Sequence, residues 1–106
     1  TKNKPHYTFT FFDKDNQYLG EYSIYGYYLY NVYIVEKFRG KGYCKKIVSH
    51  AVKRKKNLIL DVDKNNIPAI RCYKSCGFKF VKELKNYHHE IWGKKVSPTD
   101  VYRFKT

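Results

Sequence analysis

"FRGKGYCKKIVSHAVKR", residues 38–54, holds the reading on which the fold turns. Upstream of it, "YYLYNVYIV" (27–35) has the Tyr-rich, β-branched composition of a central strand. Inside it, Gly40 and Gly42 alternate with Arg39 and Lys41. Beyond the glycines, Ile47, Val48, Ala51 and Val52 share one helical face, and Lys45, Lys46, Ser49, Lys53 and Arg54 lie mostly off it. That pattern predicts an amphipathic helix of about three turns. A strand therefore enters a glycine turn and leaves it as a helix. The first N–H groups of a helix have no partner within it, and the helix dipole adds positive potential there. Glycine keeps side chains out of an approaching anion's path. The segment reads as a backbone cradle for phosphate, with a solvated basic turn as the alternative. It is not a Walker P-loop, which requires G-x-x-x-x-G-K-[ST].

Working outward, "YTFTFF" (7–12) and "YLGEYSIY" (18–25) are strand-like, joined by the turn signal "DKDNQ". "NLILDV" (57–62) is a buried-strand pattern with Leu58, Leu60 and Val62 on one side. Asn66 is placed to cap a second helix, Pro68 is tolerated in its first turn, and Gly77 closes it. Ala69, Cys72, Tyr73 and Cys76 form that helix's inward stripe. "FKFVKEL" (78–84) and "DVYRFK" (100–105) complete the strands, with a loop expected between them. Two strands, then strand–helix–strand–helix–strand, predict an α+β domain spanning residues 1–106, with helices on the faces of a sheet.

Composition narrows the partners. A chain of 106 residues is one domain, able to bury roughly 65 % of its unfolded surface. No apolar stretch approaches the ~20 residues that span a bilayer, so no membrane partner is expected. Three cysteines, Cys44, Cys72 and Cys76, are an odd number that suggests no disulfide framework and points to a reducing, cytoplasmic setting. The net charge of +13 favours a polyanionic partner, a phosphorylated cofactor or nucleic acid among them. Lys supplies 18 of 22 cations, and the scarcity of Arg forks does not favour specific nucleic-acid reading. Cys72 and Cys76 with His88 and His89 could be read as a zinc set, but the cysteines lie in an apolar stripe and adjacent histidines rarely ligate one ion. Core packing is the simpler reading, and no metal is expected.

Two motifs together carry a family resemblance. Arg39-Gly40-Lys41-Gly42-Tyr43-Cys44 resembles the R-x-x-G-x-G/A signature with which GNAT acetyltransferases cradle the pyrophosphate of acetyl-CoA. "LDVDKNNIPAIRCYKSCGF" (60–78) resembles the same family's later signature at Leu60, Val62, Asn66, Ala69, Tyr73, Gly77 and Phe78. The likeness runs from about residue 7 to the end and is nearest to N-terminal and ribosomal-protein acetyltransferases. It implies a mixed, mostly antiparallel GNAT-type sheet that is N-terminally minimal, because the usual first strand and two helices have no counterpart. Since those helices wall the acceptor site, a homodimer or weak affinity for small amines is expected. Cys44 departs from the small third residue of the first signature and crowds the cradle.

The resemblance also implies roles. Acetyl-CoA would be the cosubstrate and a primary amine, most readily of a protein or peptide, the acceptor, acetylated by direct transfer. The backbone at Ile34 and Val35 would pair with pantetheine and polarise the carbonyl, and Asn66 and Ala69 would line the cofactor. Tyr73 takes the position of the acid that protonates the departing sulfur, with a core aromatic as its alternative. Asp61 takes that of a base, with a solvated or lysine-paired carboxylate as its alternative. Glu21 and Glu36 are runners-up, and His50 has no clear path to the site. Tyr87 and His88 keep half of an aromatic pair that shapes a peptide slot. The competing class is a basic GNAT-fold module that binds CoA or nucleic acid without turnover.

Overall fold

The computed structural model describes residues 6–87, 90–91, 94–95 and 99–106. β1 (His6–Phe12) and β2 (Tyr18–Tyr25) form a hairpin. Its turn is held by Asp13, whose Oδ1 accepts the N–H groups of Asp15 and Gln17 at 2.8 Å. β3 (Tyr28–Ile34) returns antiparallel to β2. A single 3₁₀ turn (Glu36–Phe38) leads into the glycines, and α1 (Tyr43–Arg54) follows. β4 (Ile59–Asp63), α2 (Ile67–Ser75), β5 (Lys79–Tyr87), the short hairpin β6 (Glu90–Ile91) and β7 (Lys94–Lys95), and β8 (Thr99–Lys105) complete the chain. The six-stranded sheet runs β1-β2-β3-β4-β8-β5, antiparallel except where β3 meets β4. The mixed, mostly antiparallel α+β sheet predicted from the sequence is present. The β6–β7 hairpin lies where a plain loop was expected.

Alternation on the strands sorts the side chains. Tyr22 and Ile24 of β2, Leu29 of β3, and Leu60 and Val62 of β4 pack with Ile47, Val48 and Ala51 of α1 and Ile70 and Tyr73 of α2 in one core. Each buried Leu, Ile or Val among them contributes about 1.5–3 kcal/mol. Ser23, Tyr25, Tyr28, Tyr30, Tyr33 and Asp61 point to the opposite face. Tyr25, Tyr28 and Tyr33 are exposed there.

Two details position the cleft. Gly20 sits where β2 and β3 come closest; a Cβ there would lie 2.2 Å from the carbonyl oxygen of Tyr33. Asn31 interrupts β3 with φ 54°, and the β2–β3 register shifts between Glu21 and Ser23. β3 and β4 share only one register position, Tyr28 opposite Ile59. Past it they diverge, and the opening between them is the candidate site.

The cysteines correct the sequence reading. Cys44, in the first turn of α1, is disulfide-bonded to Cys72 in α2, with Cα atoms 6.3 Å apart; Cys76 is free. An odd count did not exclude a bridge, because the pair is made where the two helices face each other. The cysteine argument for a reducing, cytoplasmic setting falls with it. The zinc alternative loses Cys72, whose sulfur is bonded.

Candidate active site

The cleft has two halves. The first, about 600 Å³, runs from Val32 and Ile34 of β3 past Phe38 and Arg39 to Gly40, Gly42, Tyr43 and Cys44, with Asn66, Pro68 and Ala69 of α2 opposite. The second, about 490 Å³, passes between the diverging strands and is lined by Tyr30, Asn31, Leu60, Asp61 and Asp63. Val32, Asn66 and Tyr73 belong to both.

At the far end of the first half, Gly40 and Gly42 adopt φ 77° and 84°, where a side chain would be strained. Gly42 is the N-cap of α1 and no side chain caps the helix there, leaving the first-turn N–H groups to an outside acceptor. A Cβ built at either glycine meets no atom within 4 Å, so the space beside the cradle is open. The residues present fit a phosphate group. Lys41 is exposed beside it.

Strand geometry corrects which backbone groups face the cleft. The N–H of Val35 donates to the carbonyl of Leu19 on β2 at 2.9 Å, so Val35 is turned away from the opening. Peptide groups alternate along a strand, so those of Ile34 point to the cleft instead, and Val32, at the bulge, lines both of its halves. Val32 was missed from sequence because register cannot be read without the bulge at Asn31. Arg39 donates from Nε to the carbonyl of Ile34 at 2.8 Å, and its guanidinium lies 5.6 Å from the Tyr33 ring centre. It fastens the end of β3 as well as lining the cleft.

Tyr73 stands where the halves join. It is 9 % exposed, and burial alone pushes its phenol up to about 12. Its hydroxyl makes no hydrogen bond to any described residue. Asn66 Oδ1 accepts the N–H of Ala69 at 3.4 Å, the helix cap its sequence position suggested.

Asp61 reaches the cleft wall, but both its oxygens are engaged: Arg103 Nε donates to Oδ1 at 2.8 Å and Nη2 to Oδ2 at 3.0 Å. The hydrogen bonding of Arg103 to the Asp61 carboxylate raises its guanidinium above the ordinary value. Asp61 is therefore a paired carboxylate, the alternative named for it, with Arg103 rather than a lysine as its partner. Arg103 also lies 5.8 Å from the Tyr28 ring centre. Tyr87 ends β5 opposite Thr99 and has an electrostatic contact with Arg103, whereas His88 lies outside the described residues. Glu21 accepts from Tyr18 Oη and from Asn31 Nδ2, both at 2.7 Å. His50 is exposed on α1 against the rings of Phe9 and Phe11, its Nδ1 2.8 Å from Tyr22 Oη.

The family model for GNAT acetyltransferases matches residues 3–78, and the chain belongs to that family. No curated protein sequence matches it significantly. Among solved structures it is similar to spermidine N-acetyltransferase from Vibrio cholerae in complex with CoA and spermine, with TM-score 0.80 and 19 % identity. That match covers 95 % of this chain and 64 % of the other, so the chain spans under two thirds of that enzyme's length. It is also similar to Arabidopsis thaliana NAA60 in complex with a bisubstrate analogue, with TM-score 0.78 and 20 % identity, covering 99 % and 76 % of the two chains.

Proposed function

We propose that the chain is an acetyl-CoA-dependent N-acetyltransferase acting on a primary amine, most readily that of a peptide or protein. The observation that carries this is the hydroxyl of Tyr73, which has no hydrogen-bond partner among the described residues and opens into the cleft from a largely buried ring at the junction of the two halves, with the glycine cradle at one end. Acetyl-CoA supplies the acetyl thioester. First-turn N–H groups at 42–44 hold the diphosphate, and the peptide groups of Ile34 orient the pantetheine amides. Nitrogen attack forms the C–N bond as the C–S bond breaks. The Tyr73 phenol, kept neutral by burial, gives a proton to the departing sulfur. The amine's proton passes to water, because Asp61 is committed to Arg103. The test is mass-spectrometric detection of an acetylated peptide after incubation with acetyl-CoA; neither product nor acetyl-CoA binding would overturn the reading.

A second reading keeps CoA or nucleic-acid binding and gives up turnover. It is favoured by an open groove along α1 lined by Lys45, Lys46, Ser49 and Lys53. Binding of oligonucleotides alone, steeply weakened by salt, would support it.

A further inference from the structure

A covalent bond crosses between the two walls of the first cleft half. Cys44 lines that half from the first turn of α1, and Asn66, Pro68, Ala69 and Tyr73 line it from the side of α2. Cys44 is bonded to Cys72, the residue before Tyr73. The helical ladder of α1 opens with the N–H of Lys46, which donates to the carbonyl of Gly42. The N–H of Cys44 precedes that ladder, so the residue that carries one sulfur also carries an amide of the cradle. The bridge therefore ties the cradle to the chain neighbour of Tyr73. Both cysteines are only partly buried, which leaves the bridge open to an attacking thiol. Elsewhere α1 and α2 meet through Ile47, Val48, Ile70 and Tyr73 in the core. Cys76 adds weak contacts, its Sγ 3.6 Å from Ser49 Oγ and 3.7 Å from the carbonyl oxygen of Lys45. Helices packed in this way yield to small sliding shifts, which a covalent tie between them prevents.

We propose that the Cys44–Cys72 bridge is a redox-sensitive latch on the cofactor cleft. Closed, it fixes the separation of the cradle from Tyr73; opened, it lets the two walls shift and weakens the hold on a ligand that touches both. This rests on the acetyltransferase reading. The opening step is exchange with a dithiol. Its thiolate attacks one sulfur of the bridge, forming a mixed disulfide and expelling the other cysteine as a thiolate that takes up a proton. The second thiol of the reagent, deprotonated, then displaces the remaining cysteine, which is protonated in turn. The protein gains two electrons and two protons, and the dithiol leaves as its disulfide. Linkage makes the effect reciprocal, so bound acetyl-CoA favours the closed bridge by the same factor.

Calorimetry with acetyl-CoA tests this on the bridged protein and on protein reduced with dithiothreitol, then freed of it under nitrogen. Acetyl-CoA is the probe because the free thiol of CoA would itself enter the exchange. Circular dichroism on the same samples reports whether each is folded. The reduced protein should bind about tenfold more weakly. Cys72→Ala should bind like the reduced protein whether or not it has met dithiothreitol, and Cys76→Ser should respond as the unmodified protein does. Folded, reduced protein that binds as tightly as the bridged form overturns the inference and leaves the transferase reading standing. Reduction that unfolds the chain also overturns it, since the bridge is then a structural staple. Absence of binding in either state overturns the latch, and together with absence of an acetylated peptide it overturns the transferase reading too.

Discussion

Arg103 on β8 clasps Asp61 on β4 through two parallel hydrogen bonds, 2.8 and 3.0 Å long, with the carboxylate only 9 % exposed. The pair joins neighbouring strands at the floor of the cleft. Asp61→Asn should therefore cost stability, about 1–3 kcal/mol given the partial exposure of Arg103, by leaving its charge without a counter-ion. Urea unfolding measures this. A fall in activity should accompany the fall in stability, with the acid limb of the pH–rate profile keeping its shape. A flattened acid limb at unchanged stability would restore Asp61 as the proton acceptor.

Tyr73→Phe keeps the ring that packs in the core and removes the hydroxyl. It should lower kcat by roughly 10²–10⁴ and leave acetyl-CoA affinity nearly unchanged. Separate kinetics and calorimetry check the two halves of that statement.

The same residue predicts alkaline behaviour. Its folded pKa is raised to about 12, above the ordinary value near 10, so the folded state retains a proton that the unfolded chain releases first. The stabilisation is full below pH 10 and disappears as pH rises through about 12. Relative to Tyr73→Phe, the unmodified protein should lose about 2–3 kcal/mol across that window. Urea midpoints against pH for the two proteins give the difference directly; parallel curves would contradict the assigned shift.

Two glycines should fail differently. Gly20→Ala places a methyl 2.2 Å from the Tyr33 carbonyl oxygen, a backbone atom that cannot step aside, and should destabilise by about 1–3 kcal/mol or more. Gly42→Asp meets no atom, but it strains a backbone at φ 84° and sets a carboxylate at the cradle. It should fold with modest loss and bind acetyl-CoA at least a hundredfold more weakly, as calorimetry would report.

The Cys44–Cys72 bridge spans a sequence separation of 28 residues. Chain-entropy arguments give such a loop about 3–4 kcal/mol of stabilisation. Thermal unfolding should drop several degrees with a thiol reductant, and Cys72→Ala should be insensitive to it. An unmodified protein indifferent to reductant would show that the bridge adds nothing.

Most of the fold was legible because its signals were local. The alternation of Tyr7 to Phe12, the apolar face of Ile47, Val48, Ala51 and Val52, and the cap at Asn66 each need only a few neighbouring residues to be recognised. Local sequence also marks the positive-φ backbone at Gly40 and Gly42, and Tyr73, singled out through the family resemblance, lines both halves of the cleft. What sequence could not give was register and partnership. The turning of Val35 toward Leu19 follows a bulge around Asn31, and Val32 lines the cleft. Arg103 lies 42 residues from Asp61, and no local pattern announces that they meet. The cysteine pair failed for the same reason, since counting sulfurs says nothing of which helices face each other.

The single shared register at Tyr28 and Ile59 makes the sheet two leaves on one hinge, β1–β2–β3 and β4–β8–β5. Few backbone hydrogen bonds cross the seam, so cooperativity between the leaves rests on the helices and core packed behind it. A ligand whose amides paired with the cleft-facing groups of Ile34 would serve as the missing rungs. Occupancy would then be felt as protection of amide hydrogens on both leaves at once, far beyond the atoms it touches.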